Sequence, residues 1–242
     1  YLGDPDFVKI PVERLTSPFY ADGQRASIRL DRAMPSENLP GLAGAAAQGM
    51  QTTHFSVLDR DGNRVAGTIT INTWFGTGLM VPGTGVILNN EMDDFAAKPG
   101  VPNGYQLLQA EANAIAPGKR PLSSSTPTFV ESPRGLMIVG SPGGSFIIGM
   151  VILATLDFVD NGRSAQEIVA APRYHHQYFP DGVAAEPGAF TPEEKQSLEA
   201  RGHRIREGRG RWGNMQVVVW DYASGKVEAA SDPRGIGEGM VY

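Results

Sequence analysis

Residues 52–72 read TTHFSVLDRDGNRVAGTITIN. The run THFSVLD predicts a strand, RDGN a tight turn around Asp61-Gly62, and RVAGTITIN, with apolar and small residues alternating, the returning strand of a hairpin. Side chains alternate along a strand, so Thr52, His54 and Ser56 share one face. That row admits three readings. It is a hydroxyl-rich strand face, or a hydroxyl–imidazole pair with no carboxylate placed to orient the ring, or the beginning of a new chain. A threonine hydroxyl is a weak nucleophile until a base lies within reach. A threonine that begins its own chain has such a base in its α-amino group, with a pKa of roughly 7.7–8.0. The third reading requires a cut between Gln51 and Thr52. The stretch before it, MPSENLPGLAGAAAQGM (34–50), is small and Gly/Ala/Pro-rich, and residues 34–51 read as a flexible linker.

Outward from the hairpin, the pattern is one of helices grouped apart from strands. LTSPFYADGQRASIRLDRA (15–33) predicts one or two short helices. TWFGTGLMVPGTGVILNNEMDDF (73–95) predicts a glycine-punctuated loop, a short apolar strand and an acidic cluster. GLMIVGSPGGSFIIGMVILATLDFVDNG (135–162) predicts a strand, a glycine turn and a buried helix. Ser164 with Glu167, and Thr191 with Pro192 and Glu194, are helix-start signatures, the second helix stopping at Gly202. MQVVVWDY (215–222) and KVEAAS (226–231) predict another hairpin. The fold class is α+β with mostly antiparallel sheets.

Composition narrows the function classes. The chain has 242 residues, a net charge of −5, 30 glycines, 18 prolines and no cysteine. It is long enough for one substantial core. The charge balance makes no case for nucleic acid. Without cysteine there is no disulfide, thiolate metal site or cysteine nucleophile. The longest apolar run, FIIGMVILATL (146–156), is too short for a bilayer span, which needs about 20 residues. The chain opens at Tyr1 without methionine or leader and reads as a piece of a longer precursor.

Several stretches bear chemistry. GSPGGS (140–145) lies between an apolar strand and an apolar helix. Its glycines and the helix start suit a phosphate or a tetrahedral oxyanion, but the Gly-Lys-Ser/Thr ending of a phosphate loop is missing. NNEMDD (89–94) carries Glu91, Asp93 and Asp94, suited to a substrate ammonium; it lacks the spacing of an EF-hand calcium loop. PLSSS (121–125) offers hydroxyls to a carboxylate, or is a Ser-rich turn. YHH (174–176) resembles a metal pair, but adjacent strand histidines point apart and no third ligand is suitably spaced; a structural role is the better reading.

Taken in order, TTHFSVLDRDGN, WFGTG, ILNNEMDDF, KPGVPN, KRPLSSSTPT, GSPGGS, APRYHHQ and ASDPRG resemble the γ-glutamyltransferase (γ-glutamyltranspeptidase) family of the N-terminal nucleophile hydrolase superfamily. The resemblance covers 52–242 almost throughout, and YLGDPDF resembles the end region of the family's large subunit. It implies a part of a four-layer αββα sandwich. Residues 1–51 would end the large subunit and 52–242 would form the small, catalytic one. It further implies that Thr52, freed by autoproteolysis after Gln51, is the nucleophile and that Thr70 assists it. Asn72, Glu91 and Asp94 would bind the substrate's α-amino group, and Ser123 and Ser124 its α-carboxylate. The amides of Gly143 and Gly144 would form the oxyanion hole, and Tyr105 the lid. The family's carboxylate-binding arginine lies on the large subunit and is not identifiable here.

The reaction so implied is transfer or hydrolysis of a γ-glutamyl group from glutathione or a relative, to water or to an amino-acid or peptide acceptor. It needs no metal or organic cofactor. The partner is the large subunit of the same precursor, and the setting periplasmic or extracellular. Two alternatives stay open. One is a related glutaryl-cephalosporin acylase or poly-γ-glutamate-processing enzyme; the amino-binding trio argues against a glutaryl group, and Tyr105 against a polymer. The other is an inactive, unprocessed fragment serving as a structural module.

Overall fold

The computed structural model describes residues 2–38, 51–96, 98–101, 110–208 and 212–242. The helices are α1 (Val12–Leu15), α2 (Pro18–Ser27), α3 (Phe146–Val159), α4 (Ala165–Ala170) and α5 (Pro192–Ala200). The strands are β1 (Gln51–Leu58), β2 (Arg64–Asn72), β3 (Thr128–Ser132), β4 (Gly135–Gly140), β5 (Tyr174–His175), β6 (Val183–Ala185), β7 (Ile205–Glu207), β8 (Gln216–Asp221) and β9 (Val227–Ser231).

β1 and β2 form the hairpin, antiparallel, with Thr52 opposite Thr70 and His54 opposite Thr68. Its turn is built by Asp59, whose carboxylate accepts the amides of Asp61 and Asn63 at 2.9 and 2.8 Å. Gly62 supplies the left-handed residue that the turn needs (φ 85°). The ladder shifts register between Gln51 and Thr52, the bond at which the family resemblance would place a cut.

Behind the hairpin lies a four-stranded antiparallel sheet of order β3-β4-β8-β9. Its central strand β4 is buried on both faces, as its unbroken apolar run GLMIV requires. Leu136 and Ile138, with Val218 of β8, pack under Leu58 and Ala66 of the hairpin. Met137 and Val139, with Val217 and Val219, face α3 and α4 across a second cluster that includes Met150, Phe158 and Val169. The layers therefore run helices, sheet, hairpin, as expected for part of an αββα sandwich. A small sheet of order β5-β6-β7 stands beside them, with β6 and β7 parallel. Both expected capping boxes are formed, at Ser164–Glu167 and at Thr191–Glu194. Among the described residues no helix is long and apolar enough to cross a membrane.

Three local expectations change. Helix α3 is not buried all round: Ile148, Ile152, Leu156 and Val159 are exposed on its outer side. The apolar strand expected before the acidic cluster is only an isolated bridge between Met80 and Ile87. The stretch read as a loose linker from 34 begins as an anchored turn: Ser36 is buried, and its amide and hydroxyl donate to Asp181 at 3.2 and 3.1 Å. Gln51, its last residue, belongs to β1, and residues 39–50 lie outside the described residues. The hairpin also inverts the usual polarity. Phe55, Val57, Val65 and Ile69 point outward and are exposed, whereas His54 is buried toward the sheet.

The APRYHHQ and ASDPRG motifs meet in a buried ion network. Arg173 pairs with Asp232 at 2.7 Å, and Arg234 bridges Asp232 and Glu186 at 3.0 and 2.6 Å. Arg234 also donates to the carbonyls of Val169 and Ala171 at the end of α4. Removing one member would strand the others' charges, so the motif residues are held by structure.

The packing carries a stability test. Phe158→Ala, at a fully buried position, is expected to destabilise the protein by about 3–5 kcal/mol. Thr191→Ala, which removes one cap, is expected to cost about 1 kcal/mol. Denaturant titration of both variants measures the contrast.

Candidate active site

The end of β1 places Thr52 beside Thr70 of β2, and the two hydroxyls meet at 3.0 Å, with Thr52 donating. Thr70 Oγ1 also accepts the amide of Asn72 at 2.8 Å. Asn72 ends the strand in the left-handed region (φ 70°), which asparagine tolerates better than most residues. It is buried, and its side chain donates to the carbonyl of Asn90 at 3.0 Å. Asn90 in turn accepts the amide and hydroxyl of Thr73 at 3.0 and 2.9 Å. These bonds fold residues 73–90 back so that the short 3₁₀ turn Glu91–Asp94 reaches the threonine pair.

The acidic turn is electrostatically unusual. Burial, then the neighbouring Glu91 charge, raises the Asp94 carboxyl to about 7. Burial also raises Glu91, against hydrogen bonds from Asp94 and Thr70 that lower it. The pair thus holds a proton that neither group would hold in water. Glu91 Oε1 is buried with no hydrogen-bond partner. A buried acceptor beside a second carboxyl is an arrangement that a cation relieves.

On the opposite side, β4 ends at Gly140, and the chain turns through Ser141-Pro142-Gly143-Gly144 into α3. Gly143 and Gly144 take φ values of 151° and 56°, which disfavour any side chain. Among the described residues neither of their N–H groups donates a hydrogen bond. Two such amides before a helix start suit a negative charge.

Thr52, Thr70, Asn72, Glu91, Asp94, Ser123, Ser124 and Gly144 line one cleft of about 30 Å³, together with Ser125 and Ile147. Gly143 adjoins it through Gly144. Tyr105 lies outside the described residues. Ser125 and Ile147 were not singled out in the sequence, although Ser125 continues the serine run. Asn113 carried no sequence signal at all. It is buried, donates to the carbonyl of Asp94 at 2.8 Å and accepts the amide of Leu122 at 3.0 Å. It therefore ties the acidic turn to the serine loop.

The histidines stand apart. Both ring nitrogens of His54 are engaged away from Thr52, with Thr68 at 2.9 Å and Ser56 at 3.1 Å. Burial lowers its pKa to about 4. The hydroxyl–imidazole pair is thereby set aside. His175 stacks on Phe146 and bonds Gln177, which also accepts the Ser145 hydroxyl. His176 faces Asp181. Among the described residues no cluster of His, Asp and Glu could hold a metal.

Comparison with known proteins agrees in one direction. The family model for gamma-glutamyltranspeptidase matches residues 1–242. The chain is 44% identical over 237 residues to the glutathione hydrolase proenzyme of Escherichia coli (strain K12), covering 98% of this chain and 40% of that protein. The gamma-glutamyltranspeptidase from Pseudomonas nitroreducens complexed with L-DON is similar in structure, with a TM-score of 0.72 and 40% identity over 78% of this chain and 99% of that one. The cephalosporin acylase from Bacillus halodurans has a TM-score of 0.80 at 27% identity, over 100% of this chain and 41% of that one. The chain spans about two fifths of the length of the glutathione hydrolase proenzymes that it matches.

The raised carboxyl has a pH signature. Between its unfolded value near 4 and its folded value near 7, Asp94 binds more proton folded than unfolded. Its contribution to stability is full below that window and lost as pH rises through it. Asp94→Asn is therefore expected to gain stability relative to the unsubstituted protein as pH rises from about 4 to 7. Denaturation midpoints taken across that range measure it, and parallel pH profiles would contradict it.

Proposed function

The chain belongs to the gamma-glutamyltranspeptidase family, and on that premise we propose that it carries the nucleophile and donor site of a γ-glutamyltransferase and glutathione hydrolase. One observation carries the reading: the hydroxyl of Thr52, bonded to Thr70 at 3.0 Å, opens into a cleft shared with carboxylates on one side and serines on the other. A γ-glutamyl group is zwitterionic at its α end and asks for that pairing of partners.

In this reading Thr52 acts twice. In the precursor its hydroxyl adds to the carbonyl carbon of Gln51. The acyl group moves from nitrogen to oxygen, and water hydrolyses the ester. Gln51 is left with a carboxylate and Thr52 with a free α-amine. That amine then takes the hydroxyl proton as Oγ1 attacks the γ-carbonyl of the donor, and returns it to the departing amine. The ester on Thr52 is released by water or by the amine of an acceptor. The amides of Gly143 and Gly144 receive the oxyanion, a contribution for which loss of one donor typically costs about 10²–10³ in rate. Asn72, Glu91 and Asp94 take the α-ammonium, and Ser123 and Ser124 the α-carboxylate. Tyr105 would close the pocket. The division into a large-subunit end, residues 1–51, and a small subunit, residues 52–242, is part of the same proposal, as is a periplasmic or extracellular setting.

The large subunit would cover what is open here. Phe55, Val57, Val65 and Ile69 on the hairpin, and Ile148, Ile152, Leu156 and Val159 on α3, form apolar faces at the two outer sides of the layers. Faces of this kind mark interaction surfaces.

A second reading, a cephalosporin acylase, draws on the structural likeness over the whole chain. The buried carboxylate pair speaks for the first: a glutaryl group has no ammonium to offset the buried, unbonded oxygen of Glu91 and the raised carboxyl of Asp94.

Full-length protein tests the reading. Mass spectrometry is expected to find a fragment beginning at Thr52, and the protein is expected to turn over γ-glutamyl-p-nitroanilide. Thr52→Ala is expected to remain uncut and inactive. Self-cleavage by that variant, or selective turnover of a glutaryl amide, would overturn the assignment.

A further inference from the structure

We propose that His54 is a positioning residue, a buried neutral spacer that sets the distance between the Thr52 hydroxyl and the amides of Gly143 and Gly144. The inference rests on the function proposed above and adds a residue that contacts neither substrate nor reacting atoms.

His54 lies one inward-facing position along β1 from Thr52, as Thr68 does along β2 from Thr70, so the His54–Thr68 contact is the next rung below Thr52–Thr70. Ser56 Oγ lies 3.3 Å from the carbonyl of Ile138 and 3.2 Å from that of Gln216, on β4 and β8. Both are acceptors only, so the single Ser56 proton goes to a carbonyl. His54 Nε2 must therefore donate to Ser56 Oγ, and Nδ1 accepts from the Thr68 hydroxyl. This fixes the ring in its Nε2–H form. Burial, which holds its pKa near 4, keeps it neutral at physiological pH.

The far side of the ring meets the oxyanion loop. A Cβ on Gly140 would run into the His54 ring, and Gly140 is the last residue of β4 before Ser141-Pro142-Gly143-Gly144. Gly140 also pairs with Gln216, whose carbonyl faces Ser56. The loop is held from its other side as well: Ser141 Oγ accepts the amide of Asn214, and Gly213 abuts Ser141 and Pro142. The imidazole is thus wedged between the nucleophile's hairpin and the strand end that carries the oxyanion amides. Its width sets the gap between them. Apart from Asn72 at the far end of β2, the groups proposed to hold the substrate's α-amino and α-carboxylate ends (Glu91, Asp94, Ser123 and Ser124) lie on other elements, so the spacer acts chiefly on the chemical step.

The test uses full-length protein, with kcat for γ-glutamyl-p-nitroanilide and the inhibition constant of L-glutamate as paired readouts, each normalised to the cleaved enzyme counted by mass spectrometry. His54→Ala is expected to lower kcat by roughly 10- to 100-fold, the scale of a sub-ångström to 1 Å misplacement, with L-glutamate inhibition within twofold. His54→Gln, which keeps one donor and one acceptor, is expected to recover part of the loss. Gly140→Ala keeps every side chain of the network but displaces the ring, and is expected to repeat the kcat-only loss. Should His54→Ala fail to accumulate as cleaved protein, Gly140→Ala decides alone. Normal kcat in either variant, or parallel losses in kcat and L-glutamate affinity, overturns the inference by itself. Absence of turnover in the unsubstituted protein overturns the functional reading and this inference together.

Discussion

Thr52 and Thr70 face each other across one rung of an antiparallel ladder, and their hydroxyls meet at 3.0 Å. The rest of the site is arranged from that contact. Thr70 also accepts the Asn72 amide, and the left-handed turn at Asn72 sends the chain into the loop that returns with Asn90, Glu91 and Asp94. A single hydrogen-bonded rung thereby relates the strand of Thr52 to the carboxylates. Nothing in the ladder's own geometry supplies a base for the Thr52 hydroxyl. In the functional reading that base appears only when Gln51 departs, because an amide nitrogen lacks the basicity of an amine.

Opposed loops close on this rung from different layers. The glycine turn after β4 is carried by a strand buried on both faces, between the hairpin above and α3 below. The serine loop is tied by Asn113 to the backbone of Asp94. Burial sets the electrostatics: a carboxyl pair withdrawn from water keeps a proton, and a cation arriving between them releases it. Binding of an ammonium and ionisation of the pair are then one event.

Much of this was legible in sequence because it follows from local rules. The Asp61-Gly62 turn, the alternation on either side of it, the capping boxes at Ser164 and Thr191 and the strand–glycines–helix pattern at 135–162 each depend on residues a few positions apart. The chemistry of Thr52, of the acidic cluster, of the serine run and of the glycine turn showed in the residues themselves, but that they share one site with Thr70 and Asn72 came only with the family resemblance, since these stretches are distant in sequence. What failed to show depends on contacts between layers. Period-two alternation gives the two faces of β1 but not which one turns inward; here the polar face does, leaving Phe55 and Val57 outside. The continuous apolar run in α3 hides the fact that only one side is covered. Asn113 and His54 matter through what they join, the acidic turn to the serine loop and the hairpin to the end of β4, which no local pattern encodes.

The central claim is that Thr52 Oγ1 is the attacking atom and that the two glycine amides receive the oxyanion. A crystal structure of the full-length protein treated with an electrophilic γ-glutamyl analogue tests it most directly. The account expects a covalent bond to Thr52 Oγ1, with the analogue's γ-oxygen about 2.7–3.1 Å from the amides of Gly143 and Gly144 and its ammonium between Glu91 and Asp94. Attachment to another hydroxyl, such as Ser123 or Ser125, or an ammonium bound away from the carboxyl pair, would contradict it.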